Sequence, residues 1–319
     1  MKNQGFTLAM VERALDKLHI GYRKAAARET QALRFCSFFS QEPWGLYFWE
    51  GDGTPALVHA DAVVLAARPL PLPLAAQLLV EHPQAAYYRL MQHFFAHGRS
   101  DSHDAFVHPT AIVSPRAHVG PGAFIGPFCI VEDDCQLGAG VHLDSHVVLK
   151  AGSVVGDRTR IESHSTLGAT GVAWMWDPAT GQRIVQPQIG GARVGSDCFL
   201  GTDVTVVRGS INEITSLGDG CMVAHGSKIG HGSVVGDGVH FANNVSIAGN
   251  CVVGERAFLG SACVLRPRVR LAPGVTVGAG AVVTRDIDQE DIVVSGVPAR
   301  AMDGKERHAG VPRPRSKGD

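Results

Sequence analysis

The chain has 319 residues, with 30 acidic and 29 basic side chains, so its formal net charge is −1 and its pI is near 6.9. This balance provides no overall field that would recruit nucleic acid or a membrane surface, and we expect neither as a partner. Glycine is abundant, at 38 residues, while aromatic residues make up only 7%. Such a composition favours a turn-rich β architecture.

The first hundred residues (1–100) predict a small α/β domain. Residues 1–18 have the spacing of an amphipathic helix and lack the apolar core of a signal peptide. The apolar segments LRFCSFFS, GLYFWEGDG and ADAVVLAA predict further elements, residues 73–98 predict a second helix, and the polar RSDSHD predicts a linker. No apolar run has the roughly 18 residues of a membrane span, so we expect a cytoplasmic protein without a transmembrane segment.

An internal repeat dominates the rest of the chain. Between Val107 and Val283 an aliphatic residue recurs at every sixth position, and a small Ala, Cys, Ser or Val follows it four residues later. A short strand followed by a sharp turn has this period, and three such units would close a triangular coil of 18 residues. The repeat therefore predicts a parallel β-helix over residues 106–298, with an insertion at 168–193, a one-residue slip within 207–216 and a polar tail at 299–319.

The cysteines follow the same repeat. Six of the seven occupy its small-residue slot, and no two form a CxxC pair. A small buried hydrophobe explains this placement better than a disulfide or a metal ligand, so we expect no bound metal. These six residues are Cys129, Cys135, Cys198, Cys221, Cys251 and Cys263.

One turn of the predicted helix carries the strongest candidate for chemistry. In the segment IGHG, His231 follows the inward Ile229 by two residues and should project outward. Gly249 follows His231 by 18 residues, so it is expected one coil away on the same face. A general-base imidazole beside a glycine N–H is the pair that acyl transfer needs, for the nucleophile's proton and the oxyanion respectively. Asn212 or Glu213 is expected one coil away on the other side, where a carboxylate would orient the ring.

Several segments carry a family resemblance. IGHGSVVGDGVHFANNVSIAGNCVVGERAFLG, HPTAIVSPRAHVGPGAFIGPFCIVEDDCQLG and VRGSINEITSLGDG resemble the hexapeptide-repeat acyltransferases. The closest likeness is to the UDP-3-O-acylglucosamine N-acyltransferases of lipid A synthesis. The resemblance implies a left-handed parallel β-helix, a homotrimer with active sites between subunits, and His231 as the catalytic base. In the related O-acyltransferases, the glycine matched by Gly249 supplies the oxyanion N–H.

The same resemblance implies the substrates. The donor would be a thioester, acyl-CoA or acyl carrier protein, the acceptor would be a nucleotide-linked amino sugar, and no cofactor would be bound. In the amino-sugar acetyltransferases, a second histidine lies nine residues after the base, a place that His240 matches. The family's uridine-binding domain resembles residues 1–100, so the aromatic residues there are candidates for stacking on a nucleobase: Phe39, Trp44, Tyr47 and Trp49.

The chain also departs from the family's pattern. Gly232 stands where these enzymes have Asp or Asn after the base, and Arg268 stands where they have a further histidine. The C-terminal segment GAGAVVTRDI resembles coenzyme A-dependent acetyltransferases. Arg266, Arg268 and Arg270 in RPRVR occupy outward slots, and we expect them to bind coenzyme A phosphates or an acidic carrier protein.

Two other classes of protein stay open on the sequence. A γ-type carbonic anhydrase shares this helix and binds zinc through histidines, two of them five residues apart, whereas His225 and His231 are six apart. A non-catalytic binding protein on a transferase scaffold is the other alternative, because Gly232 lacks the acidic side chain. Metal analysis tests the first alternative, and thioester turnover tests the second.

Overall fold

A computed structural model describes residues 5–27, 33–56, 59–95 and 104–301. The chain divides into two compact units, residues 1–99 and 100–319. Most of the predicted linker and almost all of the predicted polar tail lie outside the described residues. None of the helices in the described ranges is long and apolar enough to cross a bilayer.

The first unit is a five-stranded sheet with two helices. The elements are α1 (Leu8–Lys17), β1 (Tyr22–Ala27), β2 (Arg34–Phe35), β3 (Gly45–Trp49), β4 (Val63–Ala66), β5 (Ala76–Val80) and α2 (Pro83–Phe95). The sheet order is β1-β5-β4-β3-β2, and only the β1–β5 pair is antiparallel. Helix α2 packs against β3 and β4, and the four residues of β4 are all buried, divided between two apolar clusters.

One element of this unit differs from the sequence prediction. Residues 73–98 were expected to form a single helix, but Ala76–Val80 is a strand and the helix begins at Pro83. All five residues of the strand are buried, between β1 and β4. A short, largely apolar segment does not show by its periodicity whether it is helix or strand, and here its burial within the sheet decides. Proline at the first helical position then marks the helix start.

The second unit is a β-helix with three sheets, which we call A, B and C. Their strands pair in parallel, except for the last two strands of sheet A, which are antiparallel. Sheet A contains β6 (Phe106–Val107), β9 (Phe124–Ile125), β12 (His142–Leu143), β15 (Arg160–Ile161), β20 (Phe199–Leu200), β23 (Met222–Val223), β26 (His240–Phe241), β29 (Phe258–Leu259), β32 (Thr276–Val277), β34 (Val293–Ser295) and β35 (Arg300–Ala301). Sheet B contains β7 (Ile112–Val113), β10 (Ile130–Val131), β13 (Val148–Leu149), β16 (Thr166–Ala169), β21 (Thr205–Val207), β24 (Lys228–Ile229), β27 (Ser246–Ile247), β30 (Val264–Leu265) and β33 (Val282–Val283). Sheet C contains β8 (His118–Val119), β11 (Gln136–Leu137), β14 (Val154–Val155), β19 (Gly191–Val194), β22 (Ile214–Leu217), β25 (Val234–Val235), β28 (Val252–Val253) and β31 (Arg270–Leu271).

The hexapeptide residues build the core of this helix as predicted. From Ile125 to Val283 the repeating aliphatic side chains are buried, and all six cysteines of the small slot are buried free thiols. Val107 is exposed, and Val113 and Val119 are half-buried. These three residues belong to the first coil, which has a neighbouring coil on one side only.

The register explains the two interruptions. In a regular coil, residues 18 apart pair, as Ile229 does with Ile247. The insertion lengthens one coil, so Val155 pairs with Val194. The predicted one-residue slip is instead an inserted turn of five residues, because Val194 pairs with Leu217, 23 residues later, where a regular coil has 18. Both extra segments leave the helix between sheets B and C, an edge that we call the B–C corner. The first contains a hairpin of β17 (Trp174–Trp176) and β18 (Arg183–Val185).

Candidate active site

His231 and Gly249 lie at the B–C corner, in the turns after β24 and β27. Lys228 pairs with Ser246 and Ile229 with Ile247, so the two turns are on successive coils. The Asn250 N–H donates to the His231 carbonyl at 2.7 Å, which joins the turns directly. Both residues are half-buried.

The imidazole lies directly against Gly249. A Cβ built on this glycine would come within 2.7 Å of His231 Cε1 and 2.8 Å of Cδ2, and closer still to Nε2. No real Cβ makes such contacts, so only glycine allows the ring to take this position. Among the described residues, the Gly249 N–H has no hydrogen-bond acceptor. A free N–H and a ring nitrogen therefore share one small region of the surface.

The other ring nitrogen meets a residue that the sequence analysis missed. Ser210 Oγ lies 3.0 Å from His231 Nδ1. Asn212 and Glu213 were expected to orient the ring, but Asn212 is exposed and Glu213 instead accepts a hydrogen bond from the Ile211 N–H at 2.7 Å. That bond and the other backbone N–H groups of the turn lower the pKa of Glu213, and the charge of His231 adds a smaller effect. The slip in register hid Ser210, because the path of an inserted turn does not follow from the hexad.

The structure also explains the departure at Gly232. This residue has a φ of +67°, and its N–H donates to the buried Thr215 Oγ1 at 2.8 Å. A Cβ at this position would overlap Oδ1 of Asn250, which reaches across from the next coil. An aspartate or asparagine at position 232 would therefore compete with Asn250 for the same space.

The two other candidate histidines, His225 and His240, do not lie at this corner. His225 is exposed in the turn between sheets A and B, so His225 and His231 lie on successive corners of the coil. His240 lies in β26 of sheet A, where its ring stacks on Phe258 with centroids 5.0 Å apart, and burial lowers its pKa. Within the described ranges, no three His, Cys, Asp or Glu side chains are grouped so that they could hold a metal ion.

The arginines extend the same corner beyond Gly249. The Arg268 N–H donates to the Gly249 carbonyl at 3.0 Å, which places Arg268 one coil from Gly249 and two from His231. Arg266 and Arg270 flank this turn, and all three side chains are exposed. None of them forms an ion pair with a described carboxylate. Arg266 Nη1 donates to the Thr284 carbonyl at 3.4 Å, and the three guanidinium groups bring positive charge to this part of the surface.

The four aromatic candidates of the first unit have different surroundings. Tyr47 is fully buried and its hydroxyl accepts a hydrogen bond from the Glu42 N–H, while burial raises its pKa to about 12. Its expected role in stacking on a nucleobase is therefore wrong, because the ring belongs to the core. Trp44 packs against the core and Phe39 is fully exposed. Trp49, at the end of β3, lines a cavity of about 160 Å³.

The repeat and the geometry define the class: the second unit is a left-handed parallel β-helix of hexapeptide repeats. Residues 191–231 and 250–285 match a family model described as the hexapeptide repeat of succinyl-transferase. The acyl-(acyl-carrier-protein)–UDP-N-acetylglucosamine O-acyltransferase of Brucella ovis is 33% identical over 120 residues, which are 37% of this chain and 40% of that protein. The chain thus matches about two-fifths of the length of this curated relative.

Solved structures share the fold. The UDP-N-acetylglucosamine O-acyltransferase of Moraxella catarrhalis is 27% identical with a TM-score of 0.56, covering 61% of this chain and 73% of that one. The UDP-N-acetylglucosamine acyltransferase of Francisella novicida is 23% identical with a TM-score of 0.56, covering 61% and 68%. The predicted likeness to hexapeptide-repeat acyltransferases is confirmed. By name, the Brucella and Moraxella relatives transfer to oxygen, whereas the sequence analysis favoured transfer to nitrogen.

Proposed function

We propose that this protein is an acyltransferase that moves an acyl group from a thioester to the amine of a nucleotide-linked amino sugar. The observation that carries the proposal is the contact between the His231 imidazole and Gly249, whose N–H has no acceptor in the part of the chain that the structure describes. This pair offers a base and an oxyanion donor at one point of the surface. The relatives from Brucella and Moraxella are named as acyltransferases, which supports the same reaction class.

The chemistry follows from the two groups. The amine attacks the thioester carbonyl while His231 Nε2 accepts its proton, and the Gly249 N–H binds the oxygen on which negative charge develops. The tetrahedral intermediate collapses with loss of the thiolate, and the imidazolium returns the proton to that sulfur. The products are an amide and a free thiol, and neither a metal nor a cofactor is needed for this balance.

The substrates are assigned to regions by charge and shape. The exposed Arg266, Arg268 and Arg270 would bind the phosphates of acyl-CoA or an acidic acyl carrier protein. Trp49 beside its cavity is the best-placed aromatic residue for a nucleobase. We further propose a cytoplasmic homotrimer, in which flat helix faces meet and the B–C corner opens into a cleft between subunits.

An assay of acyl transfer tests this function. Purified protein is incubated with UDP- or dTDP-linked amino sugars and either acyl-CoA or acyl carrier protein, and free thiol is measured. Alkaline hydroxylamine, applied to the isolated acyl sugar, then distinguishes the products, because it cleaves esters and spares amides. An ester product would assign the protein to transfer onto oxygen, as in its named relatives. Sugar binding without thiol release would indicate a binding protein, and zinc-dependent CO₂ hydration would indicate an anhydrase.

The two substrate regions are separable by kinetics. Trp49→Ala should raise KM for the nucleotide sugar roughly 5- to 100-fold, because one stacking contact between an aromatic ring and the nucleobase is lost. KM for the donor should not change. Replacing Arg266, Arg268 and Arg270 together with alanine should raise KM for the donor about 10-fold or more and spare the sugar. Each variant is the control for the other. Equal effects on both substrates in either variant would contradict the assignment.

A further inference from the structure

The turn that carries Ser210 is longer than its neighbours and is fixed in place. Val206 and Leu217, the inward residues on either side of this turn, are eleven positions apart, whereas Ile229 and Val235 on the next coil are six apart. The turn therefore contains five additional residues. The extra segment pairs with the end of the preceding insertion: the Gly191 N–H donates to the Glu213 carbonyl at 3.0 Å, and the Ile189 N–H donates to the Ser210 carbonyl at 3.2 Å. The two inserted segments are thus joined by backbone hydrogen bonds, and Ser210 is buried.

Glu213 stabilises the same turn from the solvent side. Its carboxylate accepts the Ile211 N–H at 2.7 Å, and its lowered pKa results first from that bond and then from its own N–H. The carboxylate therefore acts on the backbone of the turn. A smaller, direct electrostatic interaction with the His231 imidazole adds to this.

The imidazole is consequently confined on both sides. Ser210 Oγ lies 3.0 Å from Nδ1, and the Nε2 side of the ring lies on Gly249. A neutral imidazole carries one proton, on one of its two nitrogens. A serine hydroxyl that accepts a hydrogen bond from Nδ1–H leaves Nε2 without a proton. That is the form a base needs if it is to act beside the Gly249 N–H.

We propose that Ser210 is a positioning residue that holds His231 with Nδ1 protonated and Nε2 free. The proposal rests on the proposed acyl transfer, because only that reaction gives the free Nε2 its task. In this proposal Ser210 contacts neither the attacking amine nor the thioester carbonyl. Its role is to fix the orientation and the tautomer of the base through one hydrogen bond from an inserted turn.

Kinetics of three variants test the proposal. Ser210→Ala should lower kcat about 10-fold and leave both KM values unchanged, because one hydrogen bond to the base is lost and binding contacts remain. Ser210→Thr, which keeps the hydroxyl, should restore most of the rate. Ser261→Ala is the matched control, since this serine is exposed in a turn of another corner. Wild-type kcat in Ser210→Ala would overturn the proposal.

A spectroscopic measurement separates this proposal from the proposed function. Long-range ¹H–¹⁵N spectra of protein labelled at histidine report which ring nitrogen is protonated, and a His231→Asn variant assigns the signal. In the wild type we expect the Nδ1–H form of His231, and in Ser210→Ala a mixture of both forms. An Nε2–H form in the wild type, or the same form in both proteins, would overturn the role of Ser210. Absence of acyl transfer with the expected spectra would overturn only the reaction.

Discussion

Replacing His231 with alanine is expected to reduce the rate of acyl transfer by about 10²–10⁴-fold, the range typical for loss of a general base. The fold should be unaffected, because the side chain lies at a corner, outside the stacked aliphatic core. Its contacts are with Ser210 and Gly249 rather than with buried apolar groups. Initial-rate kinetics and thermal unfolding of the same preparation give the two readouts.

His225→Ala is the matched control for this substitution. His225 occupies a turn six residues earlier, on the neighbouring corner, and is more exposed than His231. The variant should keep wild-type activity. If His225→Ala were inactive and His231→Ala retained its turnover, the chemistry would belong to the corner between sheets A and B. The assignment of the base would then be wrong by one hexad.

The geometry around this base was largely predictable because the fold is periodic. A six-residue repeat closing a three-sided coil relates any residue to the one 18 positions later, and the observed pairing of Ile229 with Ile247 has this offset. The proximity of His231 and Gly249 follows from that arithmetic without any knowledge of side chains. The inward aliphatic residues and the small cysteines were predictable for the same reason, since every coil repeats one packing environment.

What the sequence did not reveal lies where periodicity is absent. The turn containing Ser210 is an insertion, and its course depends on backbone hydrogen bonds to another insertion at Ile189 and Gly191. The first unit has no repeat, so nothing periodic in the sequence distinguishes its Ala76–Val80 strand from the helix that follows. Tyr47 lies in the core, and composition alone does not distinguish a core aromatic residue from an exposed, ligand-binding one.

Position 249 is restricted to glycine by its contact with His231 and not by the fold. Its turn position is occupied by alanine elsewhere in the helix, at Ala139, Ala151 and Ala279. The backbone at this position therefore accepts a Cβ, and Gly249 has no positive φ that would demand glycine. What excludes a side chain here is the imidazole of His231.

Gly249→Ala should consequently fold normally and lose about 10²-fold or more in kcat, because the new methyl group displaces the base by the order of 1 Å. Gly21→Ala is the control, since a Cβ there meets no atom within 4 Å. The double variant His231→Ala, Gly249→Ala should be no slower than His231→Ala alone, because the methyl group then has no ring to displace. Full activity in Gly249→Ala would show that the working base lies elsewhere. A further large loss in the double variant would mean that the methyl group acts on the oxyanion donor, independently of the imidazole.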